Sequence, residues 1–196
     1  MNSIPRRTYD QNDTKYKIIE GTLELIGVVG ISKLTVEEVA LKCDVSRVTI
    51  YRYFPKGKDQ LIAEVIADEA FRWLEGLMEY VGEYNDFEDI AVHGIMFARK
   101  KLLEHEILNK VLTDEPNVIL PLLTVEANRI VAFVHLYVVT QLFKLKLNPE
   151  LDPEDIAEYL ARMLLSIIIS PGSWDLSNEA DVRRLVKTQF LASLSA

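Results

Sequence analysis

Residues 34–61 read LTVEEVALKCDVSRVTIYRYFPKGKDQL, and this stretch decides the fold. Thr35 is suited to cap a helix N-terminus, and Glu38 follows three residues later, the spacing of a capping box. Ser46 is suited to cap a second short helix, which must end before Pro55 because the residue preceding a proline disfavours helical backbone. Two short helices joined by a tight turn, with a longer helix before them, predict a helix-turn-helix.

The chain on either side of this stretch also has helical periodicity. Upstream, apolar residues at Tyr16, Ile19, Leu23 and Ile26 are spaced by three and four residues, which predicts a first helix. No alternating run with hairpin turn chemistry indicates a strand. We therefore predict an all-α fold of about nine helices. The helices after the motif are predicted over residues 59–82, 86–103, 105–113, 120–146, 153–169 and 177–194.

Charge is distributed unevenly along the chain, whose formal net charge is −8. Residues 1–58 contain ten Lys and Arg against seven Asp and Glu, whereas residues 59–196 contain twelve against twenty-three. Attraction to phosphate depends on local positive charge and not on the total. The basic N-terminal part is therefore compatible with DNA as a partner, although the whole chain is acidic.

The second short helix of the motif has two different faces. Ile50 and Phe54 share one side, which we expect to pack on Val39 and the first helix. The other side combines hydroxyl, cationic and apolar groups, the mixture that contacts base edges and phosphates. The residues on that side are Val48, Thr49, Tyr51 and Arg52, and the flanking donors are Arg47, Tyr53, Lys56 and Lys58.

This ordered series of residues closely resembles the signature of the tetracycline-repressor (TetR) family, over about residues 15–62. The resemblance implies that Thr35 and Lys58 hold phosphates and that Ser46 caps the recognition helix. It also implies that Tyr51 and Tyr53 grip the DNA backbone. By the same resemblance, the residues that face the bases are Arg47, Val48 and Thr49.

The chain departs from the family pattern in three places, one of which is Pro55-Lys56-Gly57-Lys58, where a flexible Gly precedes the next helix. The family usually has Ala-Gly in the turn, where Cys43 and Asp44 stand in this chain. Asp adopts a left-handed backbone less readily than Gly, so we expect the turn to cost some stability. Tyr53 occupies a position that is usually His, which keeps a hydrogen-bonding group for phosphate.

The resemblance implies a division into three parts, namely a flexible arm over residues 1–13, a helix-turn-helix DNA-binding domain over 14–60, and a ligand-binding and dimerisation domain over 61–196. The last two predicted helices have more apolar surface than one core stripe needs, which favours a homodimer. A dimer spans two half-sites, so we expect a palindromic operator. The predicted dimerisation residues are Tyr159, Met163, Ile167, Leu185 and Phe190.

Aromatic and Met side chains recur at helical spacing in the C-terminal part. Such stripes are usually ordinary core packing, and the sequence does not separate residues that line a pocket from those that fill a core. Together with a few polar groups, they indicate a largely apolar ligand with a polar head. The candidate ligand-binding residues are Phe71, Leu74, Met78, Met96, Arg99, Phe133, His135 and Tyr137.

These observations predict a transcriptional regulator, by family habit a repressor, that a small-molecule effector releases from DNA. The alternative is a DNA-binding regulator without a small-molecule ligand, controlled by a protein partner. An enzyme is disfavoured. Glu104-His105-Glu106 is the densest titratable cluster of residues 61–196, and its members point in different directions on a helix. We expect no cofactor, no metal site and no membrane span, and a cytoplasmic location.

Overall fold

The computed structural model describes residues 13–144 and 151–192, and this part of the chain is helical without strands. The predicted all-α fold is confirmed. The arm predicted over residues 1–13 lies outside the described residues except for Asp13, as do the predicted helix ends at 145–146 and 193–194. The elements are α1 (Thr14–Val29), α2 (Val36–Lys42), α3 (Arg47–Tyr53), α4 (Lys58–Val81), α5 (Phe87–Glu104), α6 (Glu106–Asp114), α7 (Pro116–Leu142), α8 (Pro153–Ile169), α9 (Glu179–Leu185) and a π-helical turn (Val186–Leu191).

Side-chain caps determine where most of these helices begin. Asp86 accepts from the backbone N–H groups of Glu88 and Asp89 at the start of α5, and Asp152 does the same for Glu154 at the start of α8. Helix α7 begins four residues earlier than predicted, because Pro116 occupies its first turn, where a missing N–H costs nothing.

The described chain forms two compact units. The first consists of residues 13–68 and 106–124, and the second of residues 69–105, 125–144 and 151–192. Helices α4 and α7 therefore each contribute to both units. Helix α6 belongs to the first unit, where it packs on α1 although it lies more than seventy residues further along the chain.

The first unit is built around α1, α2 and α3. The side chains of Val39, Ile50 and Phe54 are fully buried, so the inner face predicted for α3 does pack inward. Val111 of α6 joins the same core. Close packing of this kind fixes the angle between α2 and α3.

The second unit packs α5 against α8, α9 and the π-helical turn. Val92, Ala157 and Val182 are fully buried at its centre. At its edge, the Arg183 guanidinium donates to Glu88, Asp89 and Glu179, each at 2.8 Å. Those contacts connect the start of α5 with α9. Within the described residues, none of the helices is long and apolar enough to cross a membrane.

Candidate nucleic-acid interface and ligand cavity

Helix α3 presents an exposed face whose apolar side chains are unusual for a free surface. Val48 is 78% exposed and Tyr51 is 49% exposed, and both lie on the side opposite to the buried Ile50. Arg52 and Lys56 are exposed nearby, whereas Thr49, Tyr53 and Lys58 are half-buried. An exposed valine beside cationic and phenolic groups can contact a thymine methyl while its neighbours contact phosphates.

Two hydroxyl groups on this side are engaged in capping. The backbone N–H of Glu38 donates to Thr35 Oγ1 at 3.2 Å, and the backbone N–H of Thr35 donates to Glu38 Oε2 at 3.0 Å, which completes the predicted capping box. The backbone N–H of Thr49 donates to Ser46 Oγ at 3.1 Å. These caps fix the first turns of α2 and α3, so the positions of the exposed side chains follow from them.

Arg47 forms an ion pair between the two helices of the motif. Its Nη1 lies 2.7 Å from Oε1 of Glu37 on α2, and both side chains are more than half exposed. The hydrogen bond from Arg47 lowers the pKa of Glu37 below its ordinary value. Glu37 was not identified from the sequence, because an acidic residue in the first turn of a helix is ordinarily explained as a favourable charge there.

The turn between α2 and α3 is made without the family's usual glycine. Asp44 adopts a φ of 53°, in the left-handed region, and the backbone N–H of Val45 donates to the Ala40 carbonyl at 3.0 Å. The expected strain is therefore present. Cys43 is buried, and a Cβ on Gly21 of α1 would lie 2.4 Å from its Sγ, so α1 and α2 approach closely because residue 21 is a glycine.

The turn after α3 also depends on a glycine. Gly57 has a φ of 64°, and its backbone N–H donates to the Phe54 carbonyl at 2.8 Å. A Cβ at Gly57 would lie 3.2 Å from the Tyr51 ring. The aromatic ring that the resemblance assigns to the DNA backbone is thus held against this turn.

The loop between α1 and α2 is held by the corner between α6 and α7. The Glu115 carboxylate accepts from the backbone N–H of Ile31 at 2.6 Å and from that of Ser32 at 3.2 Å. Lys58 Nζ donates to the Ser32 carbonyl at 2.9 Å, and Lys110 Nζ donates to the Gly27 carbonyl at the end of α1. Sequence reasoning missed Glu115, because its partners are more than eighty residues away.

These contacts also change the charge behaviour of Glu115. Partial burial raises the pKa of the carboxyl, but hydrogen bonds from Ser32 and Ile31 and the nearby Lys58 charge lower it by more. The pKa therefore lies below its ordinary value. Glu115 remains ionised at neutral pH and continues to hold the loop.

The second unit contains a partly open apolar cavity with a volume of about 90 Å³. Of the predicted ligand-binding residues, Leu74 and Tyr137 line it. Tyr137 and Gln141 are among the residues that line it, and its wall is almost wholly apolar. The lining residues are Trp73, Leu74, Leu77, Val81, Phe87, Ile90, Ala91, Gly94, Ile95, Ala98, Ile130, Val134, Tyr137, Val138, Gln141, Leu160, Leu164, Leu165, Ile168 and Phe190.

The other predicted ligand-binding residues do not line the cavity. Arg99 Nη1 donates to the Ile168 carbonyl at 2.8 Å, at the end of α8. His135 Nε2 lies 3.1 Å from the Glu154 carboxylate. The four remaining candidates lie elsewhere in the second unit: Phe71 and Phe133 are in edge-to-face contact at 6.1 Å, and Met78 and Met96 are half-buried.

The residues that the structure brings together on α2 and α3 match a known family. Residues 18–65 match the family model of bacterial regulatory proteins of the tetR family. The chain carries a TetR-family DNA-binding domain. The resemblance stated from the sequence is thereby confirmed, and the match together with the fold supports a TetR-family transcriptional regulator. No curated protein matches the sequence.

The fold of the chain is similar to that of solved structures of regulatory proteins, two of which are TetR-family repressors. The TetR-family repressor AlkX from Dietzia sp. strain DQ12-45-1b superposes with a TM-score of 0.66 at 17% identity, covering 94% of this chain and 99% of that one. The fatty acid degradation regulator FadR from Bacillus halodurans has a TM-score of 0.61 at 18% identity, covering 91% and 96%. QsdR, a TetR-family transcriptional repressor of R. erythropolis, has a TM-score of 0.63 at 16% identity, covering 95% and 98%. At this identity the similarity establishes the fold.

The residues predicted for dimerisation differ in exposure. Tyr159 on α8 is 55% exposed, and Met163 and Ile167 on the same helix are half-buried. Leu185 and Phe190 are buried in the core of the second unit, and Phe190 also lines the cavity. Among the residues that the structure describes, no group of three or more His, Cys, Asp or Glu side chains is placed to hold a metal ion.

Proposed function

We propose that the protein is a homodimeric TetR-like repressor that binds a palindromic operator and is released by a small, largely apolar ligand. The observation that carries the ligand part of this proposal is the cavity of the second unit. A second unit with a completely packed core would favour control by a protein partner. A cavity with an almost wholly apolar wall instead offers a place for a small molecule. Since its target is DNA, we expect the protein to act in the cytoplasm.

The DNA contacts follow from the exposed face of α3. Arg47, Val48 and Thr49 lie at its N-terminal end, where a recognition helix contacts base edges. The groups that contact phosphates come from the rest of that face and from the neighbouring turns. They are Thr35, Tyr51, Arg52, Tyr53, Lys56 and Lys58, with Ser46 fixing the start of the helix.

The dimer would place two such faces one helical turn of DNA apart. Helix α8 offers the surface for it, because Tyr159 and Ile169 are exposed there and Met163 and Ile167 are half-buried. Leu185 and Phe190 support this surface from inside the unit and do not contact a partner.

The ligand that fits the cavity is uncharged. Arg99 and His135, two of the predicted ligand-binding residues, are bonded to other groups of the protein. Burial raises the pKa of Tyr137, which stays a neutral hydroxyl at physiological pH. A long apolar molecule with one hydroxyl or carbonyl therefore matches the wall, because a charged group would lose its hydration without gaining a partner.

Release requires that the ligand binds better to the form that does not bind DNA. A tenfold loss of operator affinity corresponds to about 1.4 kcal/mol of coupling. We expect the two forms to differ in the packing of the second unit, because all residues that line the cavity belong to that unit.

DNA binding is tested with duplexes selected from a random library by the wild-type dimer. Tyr51→Ala and Lys58→Ala should weaken binding to every duplex and make the salt dependence shallower, because each removes a phosphate contact. Arg47→Ala should change the selected bases. Unchanged binding by all three variants would contradict the assignment of α3 as the recognition helix.

Ligand binding is tested through Trp73, whose ring lies at the cavity wall. Addition of 1-dodecanol, a neutral apolar chain, should change tryptophan fluorescence and release DNA, whereas dodecanoate should do so far less. Gly94→Leu should abolish the response while leaving DNA binding intact, since a Cβ at residue 94 meets only ordinary contacts and the longer side chain fills the cavity. No response to neutral apolar compounds of any length would direct the search to a protein partner.

A further inference from the structure

The ion pair between Glu37 and Arg47 places a carboxylate on the face that we propose reads DNA. Glu37 is 60% exposed and Arg47 is 64% exposed, and Nη1 of Arg47 lies 2.7 Å from Oε1 of Glu37. Val48, the next residue of α3, is the 78% exposed side chain of the same face. A negative charge here lies where the DNA phosphates must come close.

Stability does not account for this arrangement. Ion pairs between exposed side chains add little to the free energy of folding, because water screens the charges and two long side chains lose freedom. On DNA, in contrast, a carboxylate next to phosphates is repelled unless a cation stays with it. The effect of Glu37 is therefore expected in DNA binding.

We propose that Glu37 is a specificity-determining residue, which holds the Arg47 guanidinium for a base and disfavours its use on phosphates. This inference rests on the proposed DNA-binding function and goes beyond it. The guanidinium has five N–H donors in a fixed plane, and the contact with Glu37 uses one of them. The remaining donors are available to O6 and N7 of a guanine.

On a DNA of the wrong sequence, Arg47 can turn its whole guanidinium to a phosphate by leaving Glu37. The carboxylate is then unpaired beside the phosphates, which penalises that arrangement. The pair therefore lowers non-specific binding more than it lowers binding to the operator.

Glu37→Gln tests the proposal, because it removes the charge and keeps a side chain of the same shape. On duplexes of random sequence in about 0.1 M salt, affinity should rise by about fivefold to tenfold for each protomer, as Arg47 becomes free to replace one counterion. The plot of log affinity against log salt should become steeper by about 0.9 for each Arg47 that joins the backbone.

Glu24→Gln is the matched control. Glu24 also forms an exposed ion pair between two helices of the first unit, with Oε2 lying 2.6 Å from Nζ of Lys42, but the pair involves no residue of α3. Glu24→Gln removes the same charge as Glu37→Gln, so any rise in affinity for random sequences that both variants share reports net charge alone. An equal rise in the two variants would overturn the proposal.

Base selection from a random library gives the second readout. Glu37→Gln should weaken the preference at the same base position that Arg47→Ala changes, and the double variant should show no further change, because Glu37 acts through Arg47. A change at a different position, or none, would overturn the proposal. If the wild-type protein binds no duplex at all, the proposed function fails as well, whereas wild-type binding with an inert Glu37→Gln rejects this inference alone.

Discussion

The two units of the chain bury their apolar side chains in different ways. In the first unit, Ile18, Ile50 and Phe54 are fully buried in a core shared with α6. The second unit has its fully buried residues beside an apolar cavity. A filled core resists displacement of its helices, which suits a unit that must fit DNA grooves, whereas a cavity leaves contacts unmade that a ligand can make.

Deleting the same side chain from each unit should show the largest difference. Leu61 of the first unit is 1% exposed, and Leu160 of the second is 2% exposed but lines the cavity. Leu61→Ala should lower the free energy of unfolding by about 3–5 kcal/mol and Leu160→Ala by about 2–3 kcal/mol, because part of the Leu160 surface already lacks partners.

Chemical denaturation separates these two effects. Both tryptophans, Trp73 and Trp174, belong to the second unit, so fluorescence follows that unit while far-ultraviolet circular dichroism follows both. A larger loss for Leu160→Ala than for Leu61→Ala would contradict the assignment of the Leu160 side chain to the cavity wall.

Two glycines with positive φ give a smaller, matched difference. Gly30 in the first unit has a φ of 82°, and a Cβ there would lie 2.9 Å from the Glu115 carboxylate. Gly172 in the second unit has a φ of 62°, and a Cβ there would meet nothing within 4 Å. Gly30→Ala should therefore cost about 2–3 kcal/mol, and Gly172→Ala about 1 kcal/mol, the strain of the backbone alone.

Thermal melting followed by circular dichroism measures both glycine variants. If their losses are equal, the carboxylate moves away at no cost, and the contact between Glu115 and the α1–α2 loop is weaker than the structure indicates.

A single substitution in the turn between α2 and α3 should stabilise the protein. Because Asp44 has a φ of 53°, Asp44→Gly should raise the free energy of unfolding by about 0.5–1 kcal/mol. Asp44→Ala is the control and should be destabilising, since it keeps the Cβ and loses the polar side chain. A loss of stability in Asp44→Gly would show that the Asp side chain has a compensating role in the turn.

Acid should lower the stability of the first unit, and base should lower the stability of the second. These are the smallest of the expected effects. The lowered pKa of Glu115 means that its contribution is present above the ordinary carboxyl range and is lost as pH falls through the folded value. The hydrogen bond from His105 to Glu69 raises the pKa of His105 by more than burial lowers it, so that contribution is present at low pH and is lost as pH rises through the folded value.

Melting curves recorded between about pH 2 and pH 9 test this contrast. Glu115→Gln should flatten the acid side of the profile, and His105→Gln should flatten the alkaline side when tryptophan fluorescence is followed. If His105→Gln leaves the alkaline side unchanged, another group of the second unit is responsible for it.

Much of the DNA-binding face could be predicted from the sequence, because its signals are local. A cap acts over three residues, as at Thr35 and Ser46, and the inward face of α3 follows from the spacing of Ile50 and Phe54. The strain at Asp44 was predictable too, since an Asp stands in a turn that favours glycine.

Side-chain contacts between distant segments could not be predicted in this way. Glu115 and Ser32 are 83 residues apart, and Glu37 and Arg47 meet only because a bend between two helices turns them toward each other. The sequence indicated Arg99 and His135 as ligand contacts, but the structure uses both to hold α8. A polar side chain inside a helical stripe has the same pattern in either role.

The cavity is the clearest example of a feature that the sequence alone does not predict. Apolar spacing determined by itself that α5, α7 and α8 are helices with buried faces, and the local caps and turn residues determined the helix-turn-helix. Only the tertiary structure decided which of those faces meet closely and which leave a space, because a cavity is the volume left between side chains of distant segments and no local pattern encodes it.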